Sequence, residues 1–325
     1  MTGDVGPGTG GAVPGTGGAR PVRVAVIGCG AIGSLYAAHL ARSPQVEVWV
    51  VDPWSAHMDA IASDGLRVTG LADFTATVHA RTDGRDLPDC DFGLVATKAP
   101  DTRAAVAGAC GALANAAVVS LQNGLGNEEV IAELVPRVIR GAIITAGAVI
   151  APGVVSYDAP GDSWFGPFEP RPAAMHEVER LARLLTDGGL ITHALADARG
   201  PQWTKVVFNS ATSPLSALTG LTVGRVCTDP RLRSQVNDLI AEALAVCDKA
   251  GITLTRHPHE AIAEAIDEAY DHQPSMLQDV RKRRKTEIDA LNGGIAGEGR
   301  RVGVPTPLHD CMVALVKGLE RSWSE

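Results

Sequence analysis

The chain carries several groups of residues whose types and spacing can do chemistry. The first is Gly28-Cys29-Gly30-Ala31-Ile32-Gly33. It lies between a β-branched apolar run and an Ala-rich one, which gives a GxGxxG sequence its strand–turn–helix context. There Gly28 permits the tight turn, Gly30 lets the backbone approach a pyrophosphate, and Gly33 lets helix and strand pack closely. The helix opening near Ala31 offers unpaired N–H groups to the anion, so the whole stretch, Cys29, Ala31 and Ile32 included, reads as a dinucleotide cradle. A glycine-rich turn that binds nothing is the plainer alternative, and its place directly after a first strand argues against that. Asp52 closes the second strand, 24 positions after Gly28. A carboxylate there accepts both ribose hydroxyls of NAD and repels the 2′-phosphate of NADP. Ahead of Pro53, it can equally be a turn or helix N-cap aspartate.

The remaining candidates are polar residues where apolar ones are expected, or residues placed at strand ends. Lys205 and Asn209 stand four apart on one helix face. A lysine opposite a nicotinamide can protonate a developing alkoxide, though such a pair is commonly a surface pair. Asn123, in Gln122-Asn123-Gly124-Leu125-Gly126, follows a strand directly, and Lys98 ends another; ligands on parallel sheets bind beyond the carboxyl ends of strands. The stretch Ser275–Leu291 reads as one helix, with Met276, Val280 and Leu291 on its inward stripe. Glu287 falls on that stripe, about 20° from Val280 at 100° per residue. A buried carboxylate needs a partner, and two are open: a structural pair with Arg284, or a ligand in a cleft facing the other half of the chain. Ser275 stands where an N-cap would be, so its hydroxyl and the helix N-terminus can hold a substrate carboxylate. The basic run Arg281–Lys285 reads as a solvated face. His257 and His259 flank a proline with no third ligand in view, so no metal is expected.

These residues need two kinds of scaffold. From Pro21 to about residue 197, short apolar runs alternate with Ala-rich helical stretches. The strands are expected at Val22–Ile27, Val46–Val51, Phe92–Thr97, Val118–Leu121, Ile143–Ile150, Val154–Asp158, Ser163–Phe165 and Leu190–Ala194. Helices are expected at Ile32–Ala41, Ala56–Ser63, Thr102–Leu113 and Ala173–Leu185. Strand, helix, strand at this spacing means a parallel, doubly wound Rossmann-type sheet with right-handed crossovers. From about residue 198 to the end the pattern is helical, with Gln202–Ala211, Leu232–Ala250, Pro258–Asp271 and Ser275–Leu291 the clearest periodic stretches. The expected fold class is therefore α/β, a Rossmann-type domain (21–197) followed by an all-helical substrate or dimerisation domain (198–325). Residues 1–20, with eight Gly and two Pro, read as a flexible tail without the basic start or apolar core of a signal peptide.

Composition narrows the function classes. The chain has 325 residues, and 29 Lys+Arg against 37 Asp+Glu give a net charge of −8. That balance argues against nucleic acid or an anionic membrane as partner, and no uninterrupted apolar run of about 18 residues reads as a membrane span. With 45% hydrophobic residues the chain can bury large cores. Six scattered cysteines with no CxxC pair read as free buried thiols, which fits a reducing cytoplasm.

Taken together, the motifs resemble those of the ketopantoate reductases (2-dehydropantoate 2-reductases). The landmarks occur in order from about Val22 to near the C-terminus: the glycine loop, Thr97-Lys98-Ala99, Gln122-Asn123-Gly124, Lys205 with Asn209, and Ser275-Met276-Leu277-Gln278-Asp279 leading to Arg284 and Thr286-Glu287-Ile288-Asp289. The resemblance implies an active site between a Rossmann domain and a helical domain, with hydride passing from C4 of the reduced nicotinamide to the 2-keto carbon of a small 2-oxo acid. By position it makes Lys205 the general acid and Glu287 the residue that hydrogen-bonds substrate and orients the lysine. It sets Asn123 and Asn209 against substrate, Asn123 beside the cofactor as well, Ser275 at the substrate carboxylate, and Lys98 at the cofactor ribose or phosphate. Three positions depart from the pantothenate-pathway pattern. Asp52 replaces the usual basic residue that holds the NADP phosphate, while Ser213 and His272 stand where asparagines are common. NADP is the family's ordinary cofactor and Asp52 leans to NAD. A related branch, the NAD-dependent dehydrogenases of D-2-hydroxy acids such as mandelate, is the alternative, and a non-catalytic nicotinamide-binding sensor is the rival of another class. Helical second domains of this kind often mediate dimers, and the sequence leaves the oligomeric state open.

Overall fold

A computed structural model describes residues 20–323. Of the segment expected as a tail, residues 1–19 lie outside the described residues; Arg20 makes a two-pronged hydrogen-bonded pair with Asp91 (2.8 and 2.9 Å). Twelve strands are described: β1 (Val22–Ile27), β2 (Val46–Val51), β3 (Leu66–Gly70), β4 (Phe74–Ala76), β5 (His79–Arg81), β6 (Phe92–Val95), β7 (Ala117–Ser120), β8 (Arg137–Ile143), β9 (Ala146–Ala151), β10 (Val154–Ala159), β11 (Ser163–Pro167) and β12 (Thr192–Ala194). Six helices thread between them: α1 (Ala31–Leu40), α2 (Ser55–Asp64), α3 (Thr102–Gly108), α4 (Cys110–Leu113), α5 (Asn127–Ala132) and α6 (Met175–Gly188).

Eight strands form one sheet in the order β12-β11-β8-β7-β6-β1-β2-β5. All neighbours are parallel except β8 and β11. Both faces are covered, which is why these strands read as near-continuous apolar runs. Successive residues of β1 divide between the two cores: Val24 and Val26 pack with α1 and α6, while Ala25 and Ile27 pack with α3 and α5, as the period of two requires. The strand order runs outward from β1 on one side and from β6 on the other. The crevice beyond their carboxyl ends is therefore the topological switch point, where ligands of such sheets bind.

A second sheet, β4-β3-β10-β9, lies against α1 on the side away from the large one. Eight of the ten α1 residues are buried, because a helix held between two sheets is apolar all round. Here one expectation is corrected. The run Ile143–Ile150 is two strands in two sheets, β8 and β9, split at Ile144 and Thr145. Thr145 Oγ1 donates to the Gly161 carbonyl (2.8 Å) and Ile144 N to that of Asp162 (3.1 Å). The apolar run hides this break because Ile144 is itself exposed. The expected helix Thr102–Leu113 is likewise interrupted at Ala109.

From Arg199 onward every described regular element is a helix: α7 (Arg199–Thr219), α8 (Val223–Thr228), α9 (Pro230–Lys249), α10 (Pro258–Glu268), α11 (Ser275–Arg281), α12 (Asn292–Val302) and α13 (Pro307–Arg321). They share one apolar core. The central helix α7 runs eight residues beyond the expected Ala211, through Pro214. Burial of residues 213–217 outweighs the lost backbone bond that normally stops a helix at proline. The stretch Ser275–Leu291, expected as one helix, is not continuous. Helix α11 ends at Arg281, and Arg283 takes a left-handed φ of +49°. Cysteines also differ from expectation: all six are free, but Cys110 and Cys311 are exposed.

Candidate active site

The glycine loop follows β1 and opens α1, and each glycine has its own geometric reason. Gly28 has φ +91°, and a Cβ there would lie 2.6 Å from the Thr97 backbone nitrogen. At Gly33 a Cβ would fall 1.9 Å from the Gly28 carbonyl oxygen, so β1 and α1 can approach only over a bare backbone. Gly30 differs: a Cβ would meet nothing within 4 Å. The protein does not need a glycine there for its own packing, whereas a ligand lying on the loop would. Gly30 caps α1 without any side-chain hydrogen bond to the first-turn N–H groups. An uncapped N-terminus under open space fits a pyrophosphate.

Asp52 turns its carboxylate back onto this loop. Its Oδ2 accepts from Cys29 N (2.9 Å) and its Oδ1 from Trp54 N (3.0 Å). The turn role and the ribose role are thus compatible, since each carboxylate oxygen can accept a further hydrogen bond. His57, on α2, braces the loop from behind. Its Nδ1 accepts from Gly153 N (2.9 Å), which leaves Nε2 to pair with Ser34 Oγ (3.2 Å); that hydroxyl donates to the Cys29 carbonyl (2.9 Å).

The remaining candidates meet where the sheet's carboxyl edge faces the helices. Lys98, just past β6, donates from Nζ to Asp279 Oδ2 of α11 (2.8 Å) and lies 3.6 Å from Glu287 Oε2. Asn123, just past β7, donates from Nδ2 to the same Glu287 oxygen (3.2 Å). Glu287 is buried at 7% exposure. It stands in the turn between α11 and α12 and not on the helical stripe expected for it. Nor is Arg284 its partner: that guanidinium donates to Asp279 Oδ1 (2.9 Å), because the end of α11 swings it away. Burial alone would lower the Lys98 ammonium, but Glu287 and Asp279 outweigh this and raise its pKa.

Lys205 reaches the junction from α7, where Nζ donates to the Ile143 carbonyl at the end of β8 (2.6 Å). Burial, opposed by the charge of Glu287, brings its pKa down to about 8. Asn209 lies one turn further along α7 and is half-buried. Ser275 is exposed and is the first residue of α11 rather than its cap; Pro274 takes that place in an extended conformation, with no side-chain cap bond. The structure thus brings Lys98, Asn123, Glu287 and Lys205 to one junction. The glycine loop with Asp52 lies along the same sheet edge, and Ser275 is at the rim.

The family model described as "Ketopantoate reductase PanE/ApbA" matches residues 24–170, and "Ketopantoate reductase PanE/ApbA C terminal" matches residues 197–320. A 2-dehydropantoate 2-reductase of Pyrococcus horikoshii is 32% identical over 303 residues, covering 92% of this chain and 98% of its own. The chain belongs to the ketopantoate reductase family. A 2-dehydropantoate 2-reductase of Archaeoglobus fulgidus is 30% identical over 307 residues, covering 93% of this chain and 99% of its own. Among solved structures, a ketopantoate reductase of this family from Ralstonia eutropha superposes with a TM-score of 0.85 at 29% identity, covering 94% of this chain and 100% of its own. A ternary structure of D-mandelate dehydrogenase with NADH and anilino(oxo)acetate gives 0.84 at 25% identity with the same coverages. This fold is that of a family of nicotinamide-linked oxidoreductases, and among the described residues no helix is long and apolar enough to cross a membrane.

Three features of the junction carry little or no local signal in the sequence. Asp279 is buried at 3% side-chain exposure between Lys98 and Arg284. It ends the Ser275–Asp279 landmark, where nothing local marks an acid whose partner is 181 residues away. The Ile143 carbonyl that receives Lys205 carries no side-chain signal at all. Glu128, wholly buried, accepts from Gln202 Nε2 (2.7 Å), whose Oε1 accepts from Arg140. This ties the Asn123 loop to α7 one turn before Lys205. Nothing in the sequence separates Glu128 from its neighbour Glu129, since both stand in the first turn of α5, where acids are common.

Proposed function

We propose that this protein reduces the 2-keto group of a small branched 2-oxo acid, ketopantoate in the first instance, with a reduced nicotinamide dinucleotide as hydride donor. A bound cofactor would supply the hydride. The chain's own residues hold the dinucleotide, place the substrate and deliver a proton. Gly28 to Gly33 and the N-terminus of α1 receive the pyrophosphate, Asp52 the adenosine ribose, and Lys98 the ribose or phosphate at the nicotinamide end. Asn123, Asn209 and Ser275 hold the 2-oxo acid, Ser275 at its carboxylate.

The observation that carries the reading is the place of the Lys205 ammonium, which α7 brings to the end of β8, where Nζ donates to the Ile143 carbonyl (2.6 Å). Burial there lowers its pKa to about 8, so it gives up its proton more readily than a solvated lysine, which suits a general acid. As the carbonyl oxygen gains negative charge, Lys205 Nζ donates to it; the lysine is left neutral and regains a proton from solvent. Glu287 keeps a carboxylate beside this site, favouring the charged lysine before transfer and accepting a hydrogen bond from the substrate.

A second reading, an NAD-dependent D-2-hydroxy acid dehydrogenase of the mandelate type, is favoured by Asp52, whose carboxylate would face a 2′-phosphate. The likeness to D-mandelate dehydrogenase with NADH points the same way. Initial rates with ketopantoate, measured with NADPH and NADH side by side, separate the two. Fast turnover with NADPH makes this a pantothenate-type reductase. Slow turnover with ketopantoate, together with NADH-dependent reduction of another branched or aromatic 2-oxo acid, makes it a hydroxy acid dehydrogenase.

A further inference from the structure

Glu287 stands on no regular element. Residues 282–291 connect α11 to α12 through a left-handed residue, Arg283, so the position of the carboxylate depends on what grips this connection. One end is held by Arg284, whose guanidinium and backbone N–H both donate to Asp279. The other end is held from the last helix. Thr286 N (2.8 Å) and Thr286 Oγ1 (2.7 Å) both donate to Glu320 Oε1, and Thr286 Oγ1 in turn accepts from Ile288 N (3.3 Å). Thr286 is buried, so these donors have no water to replace the carboxylate. Lys317, one turn earlier on α13, pairs with Asp289 of the same connection. The residue between the two anchored positions 286 and 288 is Glu287.

We propose that Glu320 is a positioning residue: by binding both donors of Thr286 it fixes Glu287 beside the reacting centre. The inference rests on the reading of Lys205 and Glu287 given above. It predicts more than general stability, because Glu287 is the charged group whose field reaches Lys205. The other charged groups around Glu287 are Lys98 from the β6 loop, Asp279 from α11, and Arg284 beyond it. None of these is held by Glu320. If Thr286 is released, Glu287 moves and its support for the protonated lysine weakens. The high-pH limb of kcat, where Lys205 loses its proton, then shifts to lower pH.

The test compares Glu320→Ala, Glu320→Gln and Thr286→Val by steady-state kinetics across pH, NADH binding by fluorescence, and melting temperature. Glu320→Ala should lower kcat by about 10- to 100-fold, the scale of a small misplacement at a reacting centre, move the high-pH limb downward, and leave the Kd for NADH unchanged. Glu320→Gln keeps a carbonyl oxygen for both donors and should restore kcat and the limb. Thr286→Val should act in the same direction as Glu320→Ala, and the double variant should be no worse than the stronger single one; it also carries the test if Glu320→Ala fails to fold. A wild-type kcat and pH limb in Glu320→Ala, or a loss of activity that follows melting temperature with the limb unmoved, overturns the proposal. Glu287→Gln separates the two layers. If it lowers kcat while Glu320→Ala does not, only the positioning role fails; if Glu287→Gln has wild-type kinetics, the underlying reading fails.

Discussion

Replacing Gly30 and Gly33 separately with alanine distinguishes a loop shaped for a ligand from one shaped by its own packing. Gly30 has φ −72° and ψ −158°, an extended conformation open to alanine, and its added Cβ would touch no protein atom within 4 Å. The folded state should tolerate Gly30→Ala or gain roughly 0.4–1 kcal/mol from the stiffer unfolded chain. At Gly33 the same methyl would sit 1.9 Å from the Gly28 carbonyl oxygen, backbone that cannot step aside cheaply. Overpacking of this kind costs about 1–3 kcal/mol, or a drop of roughly 2–5 °C in melting temperature for a chain this size. Binding should show the opposite emphasis. A methyl on Gly30 stands where a pyrophosphate would rest, so the Kd for NADH should rise by about tenfold or more, about 1.4 kcal/mol for each factor of ten. Thermal denaturation and fluorescence titration of the two purified variants give both quantities. Gly30→Ala protein with wild-type affinity for NADH and NADPH would refute the cradle. Gly33→Ala protein with a wild-type melting temperature would refute the packing argument.

Two further perturbations follow from buried or paired carboxylates. Asp52→Asn removes the charge that opposes a 2′-phosphate, so the ratio of kcat/KM for NADPH over NADH should rise by roughly tenfold, on the order of the 1 kcal/mol that two solvated charges about 4 Å apart are worth; an unchanged ratio would strip Asp52 of its role in cofactor choice. Glu128 has its pKa pushed up to about 7 by burial, above its unfolded value, so its neutral form stabilises the fold fully below about pH 4.5 and that stability is lost as pH rises through about 7. Glu128→Gln, which still accepts from Gln202, should therefore raise the melting temperature at pH 8 more than at pH 5, and equal shifts at both pH values would contradict the assignment.

The order β1, glycine loop, α1, β2, Asp52 is written locally, in β-branched runs, Ala-rich runs and glycines with definite geometric tasks. The split of Ile143–Ile150 between two sheets is not, because it depends on contacts with Gly161 and Asp162 that a run of apolar residues cannot announce. Glu287 shows both sides. An acid among apolar residues signalled a buried carboxylate, yet the helix assumed for it stops at Arg281, where the side chains of Arg284 and Asp279 find one another. The pairs that assemble the junction, Lys98 with Asp279 and Asn123 with Glu287, span 181 and 164 residues. Only the packed helices of the second half bring such residues together.

The proposed role of Lys205 as proton donor is tested most directly by a pair of measurements on Lys205→Ala: NADH and NADPH affinity by fluorescence, and kcat for reduction of whichever 2-oxo acid the wild-type protein turns over. Loss of a general acid should lower kcat by about 10²- to 10⁴-fold while the Kd for NADH stays within twofold or so of the wild type, a combination that also excludes a non-catalytic sensor. Undiminished kcat in Lys205→Ala would contradict the account, whatever the cofactor affinity proves to be.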